Sequence, residues 1–165
     1  MSRKTPLIPF VNLHGHSTFS INDGFGFPQE HMDFAYTNGC DALALTDHGH
    51  ANGMSYQILH AKKMKAEGKD FKPIFGVEAY FLPSIKEWLT EVEELKQDKK
   101  QARKLKKHTG TMESEDEGET KEKDSKRVRN RRRHLVLLAQ SQKGLSNIFK
   151  LISESFTNNN FYRFP

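Results

Sequence analysis

The chain has 165 residues, an apolar fraction of 35% and a mean hydropathy of −0.76, so it can form one domain with a real core while part of its length stays unpacked. A single cysteine, Cys40, excludes an intrachain disulfide and suits a reducing compartment. No apolar run approaches a membrane span and the opening residues carry no hydrophobic signal core, so a soluble, cytoplasmic protein without a membrane partner is expected.

The net charge of +5 is unevenly spread. Residues 96–133 hold 15 Lys/Arg and 8 Asp/Glu, whereas the rest of the chain holds 11 and 13. The basic character therefore belongs to one segment, in which the acidic block Glu113–Glu119 lies between Lys99–Lys107 and Lys121–Arg133. With almost no apolar periodicity, residues 96–133 are expected to form a charged, low-complexity, disordered insertion. Its functional reading is contact with nucleic-acid phosphates, strongest at Arg131, Arg132 and Arg133.

Outside that segment, strand and helix patterns alternate. Residues 8–14 predict a strand, followed by a polar loop with Gly24 and Gly26. Pro28 opens a helix with Met32, Ala35 and Tyr36 on one face and Gly39 at its end. Ala42–Leu45 is a continuous apolar run, as a strand buried on both faces requires. Asn52 is placed to cap a helix through Met54, Ile58 and Ala61 that stops near Gly68. Ile74–Phe81 predicts a third strand, and Ile85, Trp88, Leu89, Val92 and Leu95 a short amphipathic helix leading into the charged insertion. His134–Ala139 predicts a fourth strand, before a helix with Leu145, Ile148, Phe149, Ile152 and Phe156 on one face. Strand–helix units in series imply a parallel sheet flanked by helices, an α/β fold with functional residues beyond the carboxyl ends of its strands.

His14, His16, His48 and Glu78 fall at such ends, and Asp23 lies in the loop after the first. Two imidazoles at i and i+2 of a strand share a face and grip one ion or two adjacent ions. Imidazoles mixed with carboxylates suit zinc, manganese or iron better than calcium or magnesium. Such clusters of ions activate water and clamp phosphate oxygens, so phosphoester hydrolysis is the chemistry these residues support. Walker, nucleophile-elbow and dinucleotide fingerprints are absent. Asp47 reads equally well as a turn residue, and Asp23-Gly24 as an ordinary turn. His134 opens its strand instead of ending it, so geometry alone makes it a flank of the arginine run.

The ordered segments Asn12-Leu13-His14-Gly15-His16-Ser17 with Asp23-Gly24, Ala44–Gly49, Gly76–Tyr80 and His134–Ala139 resemble the PHP (polymerase and histidinol phosphatase) domain. The likeness is greatest to the form that opens the alpha subunit of bacterial DNA polymerase III, which Gly144–Phe156 and Phe161-Tyr162-Arg163 also resemble. The resemblance implies a distorted seven-stranded β/α barrel with up to three divalent metal ions, zinc first and manganese or iron as alternatives. It implies His14, His16, Asp23, His48, Glu78 and His134 as ligands, which brings His134 back into the site. The family's later ligands would lie beyond Pro165, so residues 1–165 are expected to be the amino-terminal part of a truncated or split PHP domain, an incomplete barrel interrupted by residues 96–133. The implied activity of the complete protein is that of a replicative polymerase with a metal-dependent 3′–5′ exonuclease for proofreading. The implied partners are the rest of the polymerase chain or a complementary split fragment, DNA and replisome subunits. The alternative is a structural, partner-binding domain of the polymerase without hydrolytic activity. A free-standing small-molecule phosphatase ranks lower.

Overall fold

A computed structural model of the protein describes residues 3–5, 10–109 and 133–157. The chain divides into two compact units, residues 1–80 with 134–165, and residues 81–133.

In the first unit, helix α1 spans Pro28–Thr37. Pro28 supplies a preset helical φ at its first turn, and the Glu30 carboxylate accepts the Phe27 N–H at 2.6 Å. Strand β1, Ala42–Leu45, is buried at every position, as its unbroken apolar run predicts. Helix α2 spans Met54–Ala66, and Gly53, not Asn52, occupies its N-cap. Its buried line is Met54, Gln57 and Met64, with Ala61 partly buried against the core and Ile58 at the rim. Gln57 donates from Nε2 to the Ile74 carbonyl at 3.3 Å, which ties the helix to the sheet. Strand β2 runs Lys72–Phe81, β3 Arg133–Leu138, and helix α4 Gln142–Ser155, where the Ser141 hydroxyl accepts the Gly144 N–H at 3.1 Å. Met32, Ala35, Leu43, Leu45, Met64 and Phe71 form the core between α1, α2 and β1.

The sheet order is β1-β2-β3, with β1 parallel to β2 in the register Ala42↔Lys72 to Leu45↔Phe75. β3 departs from the expected all-parallel sheet. The Ala139 N–H donates to the Phe75 carbonyl at 2.8 Å, while His134, five residues earlier, contacts Glu78, three residues later. At about 3.3 Å of rise per residue, both contacts hold only if β3 runs opposite to β2.

The expected strand at 8–14 is also corrected among the described residues. It is reduced to a single parallel bridge, Asn12↔Leu43, and residues 6–9 lie outside the described residues. The reason is local: the Asn12 side-chain oxygen accepts the His14 N–H at 3.1 Å, turning the backbone out of the ladder. Beyond the bend the chain still tracks β1, since the Thr46 N–H donates to the Gly15 carbonyl at 2.8 Å.

The second unit contains α3, Ile85–Thr109. The short predicted helix therefore continues through residues 96–109, part of the segment expected to be disordered. Lys, Arg, Gln and Ala are good helix formers without any apolar stripe, so lack of periodicity there does not mean lack of structure. Residues 110–132, including Arg131 and Arg132, lie outside the described residues; Arg133 is the exposed first residue of β3.

Candidate metal centre

Four neighbouring backbone segments deliver five potential ligands to one end of the sheet, and the loop after His16 brings a sixth, Asp23. The bend after Asn12 carries His14 and His16 beside β1. The chain leaving β1 carries His48, whose parallel bridge to Glu78 is sealed by the Gly49 N–H donating to the Glu78 carbonyl at 2.8 Å. Glu78 belongs to β2, and His134 arrives from the opposite direction on β3. The antiparallel β3 thus removes the geometric objection to His134: the start of that strand lies where the other two strands end.

Glu78 forms the floor, with 1% of its side chain exposed. His16 Nε2 lies 2.7 Å from Glu78 Oε2, His14 contacts the same oxygen, and His134 Nδ1 contacts Oε1. His48 Nδ1 is 3.7 Å from Oε1. Asp23 closes the other side: its Oδ2 is 2.6 Å from His48 Nε2 and 2.9 Å from His16 Nδ1. His14, Asp23 and His134 are half-exposed at the rim, so the ligands form an open cup. With Gly15, Gly24 and Phe25 they line a cavity of about 410 Å³. The pairing of His14 with His16, Nε2 to Nε2 at 3.0 Å, comes from the bend and not from strand alternation.

Three overlapping triads place their potential ligand atoms within 4.8 Å of one another: His14, His16 and Glu78; His16, Asp23 and His48; His48, Glu78 and His134. Buried His16 Nδ1 and Glu78 Oε1 have close neighbours in the cluster but no aligned hydrogen bond. An imidazole and carboxylate donor set with unused buried donor atoms fits a divalent cation of the zinc, manganese or iron kind.

The electrostatics agree. Burial pushes the Glu78 carboxyl upward, but its hydrogen bond with His14 and the charges of His48, His134 and His14 outweigh this and hold it below the ordinary range. The His48 hydrogen bond, ahead of the His16 and His48 charges, holds Asp23 low as well. Both carboxyls are therefore ionised at neutral pH, the form that binds metal.

Two residues around the ligands have roles the sequence left open. Asp47 is buried and accepts three bonds: from the Ser17 N–H at 2.7 Å, the Ser17 hydroxyl at 2.8 Å and the Ser20 hydroxyl at 3.0 Å. It pins the loop that carries His16 and Asp23 onto the end of β1, so it is an anchor and not merely a turn residue. Gly53 is required beside it, because a Cβ there would lie 2.8 Å from Asp47 Oδ2. Gly24 is equally constrained, since its Cβ would fall 2.0 Å from the Ser17 carbonyl oxygen. Tyr80 lies parallel to the His48 ring at 5.7 Å between centroids, meets His134 edge-on at 5.1 Å and brings its hydroxyl to 3.4 Å from His48 Nδ1. Asp-His at 47–48 and Glu-Ala-Tyr at 78–80 were the only signals, and neither spacing reveals these contacts.

The PHP domain family matches residues 12–165. The chain belongs to the PHP domain family. DNA polymerase III subunit alpha of Aquifex aeolicus (strain VF5) is 30% identical over 154 residues, covering 93% of this chain and 10% of that protein. The subunit alpha of Treponema pallidum (strain Nichols) is 30% identical over 155 residues with the same coverage. This PHP chain thus spans about a tenth of the length of the curated relatives it matches. Among solved structures, a metal-dependent phosphoesterase from Bifidobacterium adolescentis superposes with a TM-score of 0.40 and 21% identity over 47% of this chain and 24% of that one. Among the described residues no helix is long and apolar enough to cross a membrane.

Proposed function

We propose that this PHP domain is part of a DNA polymerase III alpha-type subunit, and that its six-residue cup is a phosphoesterase centre acting as a 3′–5′ exonuclease. The observation that carries the reading is the convergence of His14, His16, Asp23, His48, Glu78 and His134 in three triads that share His16, His48 and Glu78. Shared ligands suit adjacent ions, up to three in the complete domain, with zinc first and manganese or iron as alternatives. Bound ions of this kind supply an activated water and neutralise phosphate charge.

The protein's own contribution is placement. Glu78 anchors the floor, Asp47 fixes the loop bearing His16 and Asp23, and Tyr80 holds the rings of His48 and His134. The open rim gives a phosphodiester end direct access. Arg131, Arg132 and Arg133 are proposed as auxiliary contacts to the nucleic-acid backbone. The partners on this reading are the remaining polymerase polypeptide, DNA and replisome subunits, in the cytoplasm.

Elemental analysis of the chain, alone and with the polymerase polypeptide, together with a single-strand exonuclease assay of the whole polymerase, tests the reading. Stoichiometric metal and loss of exonuclease activity on His14→Ala are expected. Absence of metal from both samples, or unchanged exonuclease activity, overturns it.

A further inference from the structure

Helix α3 separates its charges by face. Glu87, Glu91, Glu94 and Asp98 follow the spacing i, i+4, i+7, i+11 and form one acidic stripe. Lys96, Lys99, Lys100, Arg103 and Lys104 recur at three- and four-residue intervals on another face and line one concavity. A helix that is merely solvated gains stability by setting Glu and Lys at i, i+4 across from each other. Here Lys96/Lys100, Lys99/Arg103 and Lys100/Lys104 set like charges at that spacing, as do Glu87/Glu91 and Glu94/Asp98 on the acidic face. The Lys96–Glu93 contact at 3.2 Å joins opposite charges at one edge of the basic stripe. Complementing the helix dipole does not explain the stripe, because that effect is confined to the terminal turn, and Lys96 lies several turns before Thr109.

We infer that the basic stripe of α3 is a docking surface for the phosphate backbone of nucleic acid. Its five cations recur turn by turn along about 12 Å of helix, a regular ladder matched to a regular polyanion. The stretch from Lys96 to Lys104 contains no aromatic or large apolar side chain. It therefore has neither a stacking platform to read bases nor an apolar wedge for a bilayer, and binding would be independent of sequence. This adds an ordered helical face to the backbone contacts proposed at Arg131, Arg132 and Arg133, formed by residues other than the metal ligands.

The test is fluorescence anisotropy of the full chain with labelled single-stranded and duplex oligonucleotides of mixed sequence, in EDTA, across a salt series. Wild type is expected to bind with log K falling linearly in log salt. Lys100→Glu/Lys104→Glu should weaken binding at least about tenfold and flatten the single-strand slope by about 1.4, from about 0.7 per phosphate contact. Lys62→Glu/Lys65→Glu, an equal charge change on α2, should leave most of the affinity. Helical circular dichroism confirms that each variant is folded. Undetectable wild-type binding, equal loss in both double variants, or an unchanged slope overturns the inference. So does salt-sensitive self-association abolished by the α3 variant, which would make the occupant a second copy. Preference for one oligonucleotide class assigns the strand form of the same backbone ligand.

Discussion

Glu78 and Asp47 are both buried carboxylates near neighbouring strand ends, yet their surroundings differ in kind. Asp47 faces one amide and two hydroxyl donors, which satisfy it without a cation. Glu78 faces imidazoles that are themselves metal ligands by type, and its Oε1 has no aligned hydrogen-bond donor. Burial alone therefore does not mark a ligand; the nature of the surrounding donors does. One carboxylate holds the loop in place, and the other is surrounded by imidazoles of ligand type.

The contrast predicts a crossed pattern. Glu78→Gln should weaken zinc or manganese binding at least about 100-fold, the upper end for groups that only orient a ligand, because two triads share this carboxylate. Its cost to metal-free stability should be smaller than its effect on metal binding, since Gln keeps the side-chain volume and a carbonyl oxygen that accepts from the facing imidazoles. Asp47→Ala should do the reverse, costing about 2–3 kcal/mol in urea denaturation as buried donors lose their acceptor, with a smaller loss of metal affinity. Isothermal titration on both variants decides; parallel losses in both would erase the distinction.

A smaller effect is expected at Tyr80. Tyr80→Phe keeps the ring against His48 and His134 but removes the hydroxyl 3.4 Å from His48 Nδ1, so metal affinity should fall about tenfold with little change in stability.

The smallest effect is on pH dependence. Glu78 and Asp23 titrate below their ordinary values of 4.5 and 3.8, so the metal-free fold should hold their full contribution above those values. That contribution is lost as pH falls through the lower folded-state values. Urea midpoints taken between pH 6 and 3 should decline less steeply in Glu78→Gln than in wild type.

What could be read from the residues divides along the same physical line. The apolar run at 42–45 and the proline-opened helix at 28 were legible because burial and backbone restriction act locally. The ligand types were legible as imidazoles and carboxylates at strand ends. The turning of the chain by Asn12 was not, because one side-chain hydrogen bond defeats a strand pattern. Nor was the direction of β3, which is set by pairing across the sheet and not by any feature of Arg133–Leu138. The length of α3 was missed because helix propensity without an apolar face leaves no periodic trace.

The reversal of β3 has a consequence for how the site is assembled. Because β2 and β3 are antiparallel neighbours, the carboxyl end of one and the amino end of the other lie side by side. Glu78 and His134 therefore meet across the strand pair although they lie far apart in the sequence. One end of the sheet thus gathers ligand-type side chains from strands that run in opposite directions, so a site of this kind does not need an all-parallel sheet.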